Sequence, residues 1–594
     1  MSGRRDARRL TEDERDYVDL DWLTVPLGRL RQRLFRGTTI RPPDPAGPDD
    51  STDGDPAARP RAVDEQPEGE PPSERGREVV GALSEHRYTA LSALLVLLLA
   101  VHLGKGRWAG GVDIWEHAAA VRELAAHPLH PHHPLLSATA PHQFFSPYSL
   151  LVALFSRLTH LSVVTSLNIA GIANLVLFLV ALRLFVRKVV PRKHADYYAL
   201  LFILFLWGPN AWFFSSFLHF DVLGLVASYP STFVKGVVLL ALWAYTNYLE
   251  RNDTRWIAPV VLAASVVILT HPVDAVFLGI GLVALSFTRS DGDGGKVLVA
   301  VTIIAGSFIL AVMWPYFSLR ELLFGHVAVG FRQAGAGGDR EMYQHVLSRM
   351  ALTLIAVPFI VRRLPRWRDD ALLLMFLGTV AAYWYGFATH QWSFGRLISS
   401  IQFVAAVVLA EERAVAGEAA AALGPSARTM TRWLQVTTAA LVLAGMFFLR
   451  NGFEILPHQW VENLPYQWMH PYVDMVKISD FSFIEKNHNR YPVAISDIFT
   501  SLEIPTFGTK VIAAARAQAF LDTSERTTDI GRFYAPGTSA AERRQIAAKY
   551  NASLLVMPTE RLTAEPATYG PLLTLGRVVA TNQRFIFIDL RQTP

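Results

Sequence analysis

Runs of roughly 17 to 25 apolar residues recur along this chain, each long enough to cross a hydrocarbon core about 30 Å thick as a helix. That recurrence constrains the fold more than any motif does, because a chain with many such runs is a bundle of membrane helices. Composition agrees. Hydrophobic residues make up 51% of 594, with 14 Trp and 35 Phe against 18% charged residues, more apolar than soluble chains usually are. No cysteine is present, which excludes disulfides, thiolate metal sites and a Cys nucleophile together. The net charge of +5 informs only through its distribution, since Lys and Arg in short loops orient membrane spans.

The apolar runs place spans near 88–104, 163–187, 196–216, 231–249, 255–270, 273–288, 296–315, 347–361, 370–388, 394–410 and 431–449. They describe a polytopic α-helical membrane protein of about 11 to 13 spans. With the amino terminus inside, "RKVVPRKH", "ERNDTR", "TRSDGDGGK", "RRLPRWRDD" and "EERAVAGE" all fall on the cytoplasmic side, as the positive-inside bias requires. "SPYSLLVALFSRL", Ser146 to Leu158, is apolar but short, and is expected to be re-entrant or interfacial. Residues 1–84 are rich in Pro, Gly and charge and are expected to form a disordered cytoplasmic tail. Within it Leu23, Leu27, Leu30 and Leu34 fall on one helical face among Arg29, Arg31, Arg33 and Arg36, as in a helix lying on anionic lipid or packing on a partner. The membrane part spans 85–450.

An odd number of spans sends 451–594 to the external face. There "YPVAISD", "TKVIAAA", "SLLVMP" and "FIFIDL" are short β-rich runs separated by helical stretches, one opening with the capping box Ser539-Ala-Ala-Glu542. This alternation predicts a small external α/β domain. It carries no Gly-rich phosphate loop or nucleotide fingerprint, and nothing in the chain points to nucleic acid.

Potentially reactive side chains gather in the external loops. "GGVDIWEHAAAVREL" holds Asp113, Glu116 and His117, which share one face if the segment is helical and can there serve as a general base or hold a divalent metal; local capping and pairing is the plainer account. The following "HPLHPHHP" reads as a proline-punctuated connector, with metal binding the alternative. Later loops offer His219, Asp221 and Tyr229; His271 and Asp274, the latter equally a helix cap; Arg320, Glu321 and Arg332; and His390, Gln391, Trp392 and Arg396. Arg396, at the start of an apolar span, suits bidentate phosphate binding or a snorkelling anchor, and Lys235 near Tyr229, Ser231 and Thr232 is a second cation of that kind.

Asp113 in "GGVDIWEHAAAVREL", the Pro-rich continuation to Pro147, the polar later loops and the terminal "YPVAISDIFTSLEIPTFGTKVIAA" together resemble the GT-C superfamily of integral-membrane glycosyltransferases. The resemblance covers most of 88–594 as architecture and only a short motif as sequence. It implies Asp113 as the base that deprotonates an acceptor hydroxyl, with inversion, and a sugar on a polyprenyl phosphate as donor. The acceptor would be a cell-envelope glycan, glycolipid or protein. Glu116, His117, Asp221, Lys235, His271, His390, Gln391, Trp392 and Arg396 would bind substrate. No second acidic pair stands in the first loop, so no cofactor is certain and a divalent metal, Mg or Mn, is left open; Asp221 or Glu321 would complete such a site. The absence of a nucleotide fold agrees, since an external site needs a donor that arrives in the bilayer. The Ala- and Arg-rich composition fits a bacterial plasma membrane, with the carboxyl-terminal domain outside. A transporter or flippase, or a non-catalytic envelope scaffold, are the alternatives.

Overall fold

The computed structural model describes residues 86–110, 112–289, 294–456 and 475–592. The expected tail helix and the rest of 1–84 lie outside them. The helices long enough to organise the fold are α1 (Arg87–Leu103), α2 (Ile114–Ala126), α3 (Pro147–Thr159), α4 (Val163–Val189), α5 (Ala195–Phe205), α6 (Pro230–Arg251), α7 (Ile257–Thr270), α8 (Pro272–Thr288), α9 (Gly294–Val312), α10 (His326–Arg340), α11 (Ala371–Ala388), α12 (Ile398–Ala422) and α13 (Arg428–Phe448). Local chemistry starts several of them. The Ser146 and Ser162 hydroxyls accept from the backbone N–H groups of Ser149 and Thr165 at the heads of α3 and α4, and Pro147, Pro230 and Pro272 stand in first turns, where a missing N–H costs nothing.

By length and composition, four helical stretches among the described residues suffice to cross a membrane alone: Val163–Val189, Gly294–Val312, Ala371–Ala388 and Trp392–Ala422. A fifth arises if Phe220–Val226 and Pro230–Arg251, bent by 107° at their junction, form one broken span. Helices α1, α5, α7 and α8 are apolar but shorter. Two of the expected spans are interrupted. The run 196–216 is helical only to Phe205: Gly208-Pro209 follows, and a Cβ on Gly208 would lie 1.7 Å from the Ser348 carbonyl, so the chain must leave the helix to pass segment 346–351. The run 347–361 divides into short helical pieces, Val346–Arg349, Thr353–Ala356 and Val357–Arg363. Helix α3 has 13 residues, about 20 Å at 1.5 Å each, too short to cross. It buries Tyr148, Val152 and Ala153 while exposing Leu151, Leu154, Phe155 and Leu158, the face of an interfacial helix.

Strands β1 (Arg107–Ala109) and β2 (Met475–Lys477) pair antiparallel, joining the segment after α1 to the chain beyond α13. A five-stranded sheet follows, built from β3 (Val493–Ser496), β4 (Lys510–Val511), β5 (Leu554–Pro558), β6 (Arg577–Thr581) and β7 (Phe585–Asp589), in the order β4-β3-β5-β7-β6. Strands β4, β3 and β5 run parallel, while β7 is antiparallel to both β5 and β6. Helices α14 (Ser524–Tyr534) and α15 (Ala540–Lys549) supply the crossover to β5, and Ser539 caps α15 by accepting from Glu542 N–H at 3.2 Å. The free edge of β4 is taken by the loop before α3: Val511 N–H donates to Leu135 C=O at 2.8 Å, and Leu136 bridges Val511 in parallel.

Helix α2 is the element between bundle and sheet. Trp115, fully buried, donates its indole N–H to Ala109 C=O at 2.8 Å and packs on Trp108, Phe481 and Phe507, while its carbonyl accepts from Thr506 Oγ1 at 3.0 Å. Trp115→Ala removes about 3–5 kcal/mol of packing and is expected to lower the thermal unfolding midpoint in detergent by several degrees. An unchanged midpoint would show that α2 is not clamped as described.

Candidate active site around Asp113

Asp113 occupies the amino-terminal cap of α2, yet its carboxylate makes no capping bond to the helix. Its partners are elsewhere. Arg516, in the loop after β4, reaches Oδ2 with Nη1 at 3.3 Å. The Tyr229 hydroxyl, from the head of α6, accepts from Ile114 N–H at 3.1 Å and favours the charged form of the Asp113 carboxylate. The side chains of Asp113 and Arg516 are 31% and 44% exposed, so the pair is open to an incoming molecule.

Glu116 and His117 follow on the buried side of α2. Glu116 is 1% exposed, and its Oε1 has no hydrogen-bond partner among the described residues. His117 stacks on Phe144 with ring centres 4.0 Å apart and meets Tyr229 edge-on at 5.7 Å. These surroundings separate the three titrations. Burial pushes the Asp113 carboxyl up, but Arg516, His117, Tyr229 and Arg396 together outweigh it and hold the group below the usual carboxylate range. Burial raises Glu116 to about 7, with Arg516 opposing and Asp113 adding. Burial also lowers His117 to about 4 against the pull of Asp113. At neutral pH Asp113 is therefore ionised and His117 neutral.

A second polar group lines the head of the bundle. Lys235 Nζ pairs with Asp274 Oδ1 at 2.8 Å and donates to Ser399 Oγ at 3.1 Å. His271 has Nδ1 2.8 Å from Asp274 Oδ2 and Nε2 3.0 Å from Ser216 Oγ. Asp274 thus stands in the first turn of α8, as a cap would, with its carboxylate engaged in an ion pair. Arg396 directs Nε and Nη2 at Asp339 Oδ1, 3.1 and 3.0 Å away, and donates from Nη1 to Ser215 Oγ at 3.0 Å. The two groups are linked electrostatically: the Arg396 charge favours ionised Asp113, and His271 disfavours a charge on His117.

Not every residue of the sequence reading converges there. His390 and Gln391 form the exposed turn between α11 and α12, His390 with a left-handed φ of 57° and its ring on Trp392; Trp392 is covered by Arg340. Asp221 lines a pocket with His102, Asn451 and Gly452 whose wall also includes Ile114 and Ser228, and Glu321 is exposed on the short helix Leu319–Phe324. Neither completes a metal site with Asp113. Arg516 faces Asp113, and among the described residues the one cluster of three metal-ligating side chains is Glu123, His127 and His132. Arg516 escaped the sequence reading. Its only signal is a lone cation in the apolar run "VIAAARAQAF".

No family model matches the sequence, and no curated protein does. Solved structures do. ArnT from Cupriavidus metallidurans, bound to undecaprenyl phosphate, superposes with a TM-score of 0.50 at 13% identity, covering 87% of this chain and 98% of that one. The archaeal oligosaccharyltransferase AglB from Archaeoglobus fulgidus, in complex with an inhibitory peptide and a dolichol-phosphate, superposes with a TM-score of 0.50 at 14% identity, covering 85% and 74%. Both are GT-C glycosyltransferases. The chain has the GT-C fold.

Within this GT-C fold the raised Glu116 carboxyl makes stability depend on pH. Both folded and unfolded chains hold its proton below 4.5, its ordinary value, and the unfolded chain alone loses it between there and about 7. The contribution is thus fully present below 4.5 and is lost as pH rises through about 7. The melting temperature of wild type relative to Glu116→Gln is expected to fall across that window and level off above it. Parallel curves for the two proteins would refute the assignment.

Proposed function

We propose that this chain is a membrane glycosyltransferase that moves a sugar, hexose or pentose, from a polyprenyl-phosphate donor to a cell-envelope glycan, glycolipid or protein. The observation that carries the reading is Asp113: a partly exposed carboxylate, ionised at neutral pH, beside Arg516 and Arg396 at the head of a bundle with the GT-C fold. The lipid phosphates bound to ArnT and AglB support a donor of this class.

In this reading Asp113 accepts the proton of the acceptor hydroxyl as its oxygen attacks the anomeric carbon. The bond from that carbon to the phosphate oxygen breaks, the anomeric configuration inverts, and polyprenyl phosphate leaves. Arg396 exchanges Asp339 for the phosphate of the donor, and Lys235 adds positive charge behind it. Arg516 holds Asp113 in its ionised form and sits where the acceptor enters. Glu116, raised to about 7 and so only about half ionised at neutral pH, adds no full second negative charge beside an anionic donor. The site faces the exterior of a bacterial plasma membrane, with the amino terminus cytoplasmic.

Transport is the second reading, favoured by the break between Phe220–Val226 and α6 and by the Lys235–Asp274–His271 group at its end. The two separate in one experiment. Protein in lipid nanodiscs is incubated with a panel of radiolabelled polyprenyl-phosphate sugars and a cell-envelope acceptor extract. Transfer is expected, with Asp113→Asn lowering it by about 10²- to 10⁴-fold while donor binding persists. Donor binding and translocation in proteoliposomes without transfer would overturn the glycosyltransferase reading.

A further inference from the structure

The connector "HPLHPHHP" and the last turn of α2 bring three metal-ligating side chains together away from Asp113. Glu123 Oε1 lies 2.9 Å from His127 Nδ1 and 3.2 Å from His132 Nδ1. Both separations are a few tenths of an ångström shorter than the roughly 3.3–3.6 Å edge of a tetrahedron with ligands about 2.0–2.2 Å from zinc, so the three side chains already converge and would open slightly to admit the ion. All three ligand atoms fall within 4.8 Å of one another. We propose that Glu123, His127 and His132 form a binding site for a divalent transition-metal ion of the zinc class, with a fourth position open to water.

The surroundings are built for such an ion. Glu123 is buried, with its side chain 8% exposed, while the two rings are 54% and 60% exposed, so the carboxylate is fixed and the imidazoles give access from solvent. Lys510 Nζ bonds Oε2 at 2.7 Å and is itself held by the carbonyls of His133 and Pro134. This leaves Oε1 turned toward the rings, an outer-sphere contact of the kind that orients carboxylate ligands. His132 N–H also donates to Oε1 at 3.0 Å, which folds the connector back over the helix end. Nδ1 of each ring faces the same carboxylate oxygen, so each ring would ligate the ion through a nitrogen free of its proton. Two imidazoles and one carboxylate suit zinc better than magnesium or manganese, whose preference is for oxygen.

The ion would pin the connector to α2. His133, the next residue, accepts from the backbone N–H groups of Leu135 and Leu136, the pair that meets β4, and its ring abuts His142, whose Nε2 bonds Gln518 two residues after Arg516. The inference stands apart from the glycosyltransferase reading and holds whether or not that reading does.

Full-length protein is stripped with a chelator, exposed to Zn²⁺ alone and dialysed. Elemental analysis is expected to find one zinc per wild-type chain, and roughly a tenth of that or less in His127→Ala/His132→Ala, since the loss of two of three ligands removes most of the binding free energy. Zinc is also expected to raise the melting temperature of wild type and not of the double variant. Both substituted rings are exposed, so the variant should fold, and its unchanged metal-free melting temperature checks this. Cobalt(II) should give the intense visible absorption of a four-coordinate ion in wild type alone. Equal zinc retention by the two proteins, or none by wild type, would overturn the proposal.

Discussion

Two cation–carboxylate pairs hold α2 against the carboxyl-terminal part of the chain, and the geometry of the candidate site follows from them. Lys510 takes Glu123 near one end of the helix and Arg516 takes Asp113 at the other. Ten residues of helix cover about 15 Å, a distance that the six residues from Lys510 to Arg516 span when extended. The two ends of segment 510–516 are thus tied to the two ends of α2, the first also fixed by β4 and by the Leu135 and Leu136 contacts. Removing Lys510 would leave Glu123 buried without its counter-ion, a change that costs far more than the intact pair contributes. The carboxyl-terminal sheet is for this reason part of the site: it delivers the guanidinium that decides how Asp113 titrates.

That guanidinium divides the labour between two carboxylates one helical turn apart. Asp113, open on one side and bonded to Arg516, stays ionised, whereas Glu116, buried with an unpartnered oxygen, holds its proton to about 7. Environments that push two such groups apart mark acid and base roles in many enzymes. Here the separation also has a charge consequence. On the proposed reading, a phosphate-bearing donor at the head of the bundle would meet one full carboxylate on α2, a second only about half ionised at neutral pH, and an imidazole that is neutral instead of cationic.

Periodicity and turn chemistry made the scaffold legible. The runs containing Val493–Ser496, Lys510–Val511, Leu554–Pro558 and Phe585–Asp589 alternate with turn residues, and each forms a strand; Ser539 caps the helix it was expected to cap, while the Glu542 carboxylate pairs with Arg532 instead of closing the box. Hydropathy placed most helices but could not see where another segment crosses, so it drew 196–216 through Gly208, where the Ser348 carbonyl lies too close for any side chain. Within the site, Asp113, Glu116 and His117 were visible because their spacing on one helix brings them together. Arg516 and Lys510 were not, because their partners on α2 are hundreds of positions away and are brought near only by tertiary contacts such as the pairing of β4 with the first loop.

Arg396 poses the sharpest energetic question for the proposed chemistry, since every donor that faces its neighbours is engaged, with Asp339 and Ser215. A phosphate can reach it only by displacing one of them, and Asp339 is the weaker tenant. It lies at the carboxyl-terminal end of α10, where the helix dipole disfavours a negative charge. That helix contains Gly330, Gly335, Gly337 and Gly338, each costing about 1 kcal/mol relative to alanine, so its last turns rely on tertiary contacts such as the Arg396 pair and the Arg340–Trp392 contact. Lys235, by contrast, is fixed by a buried carboxylate in the first turn of α8, where the dipole favours it. The two cations are therefore unequal: Lys235 is a permanent charge in the wall, and Arg396 is the one whose counter-ion can be exchanged.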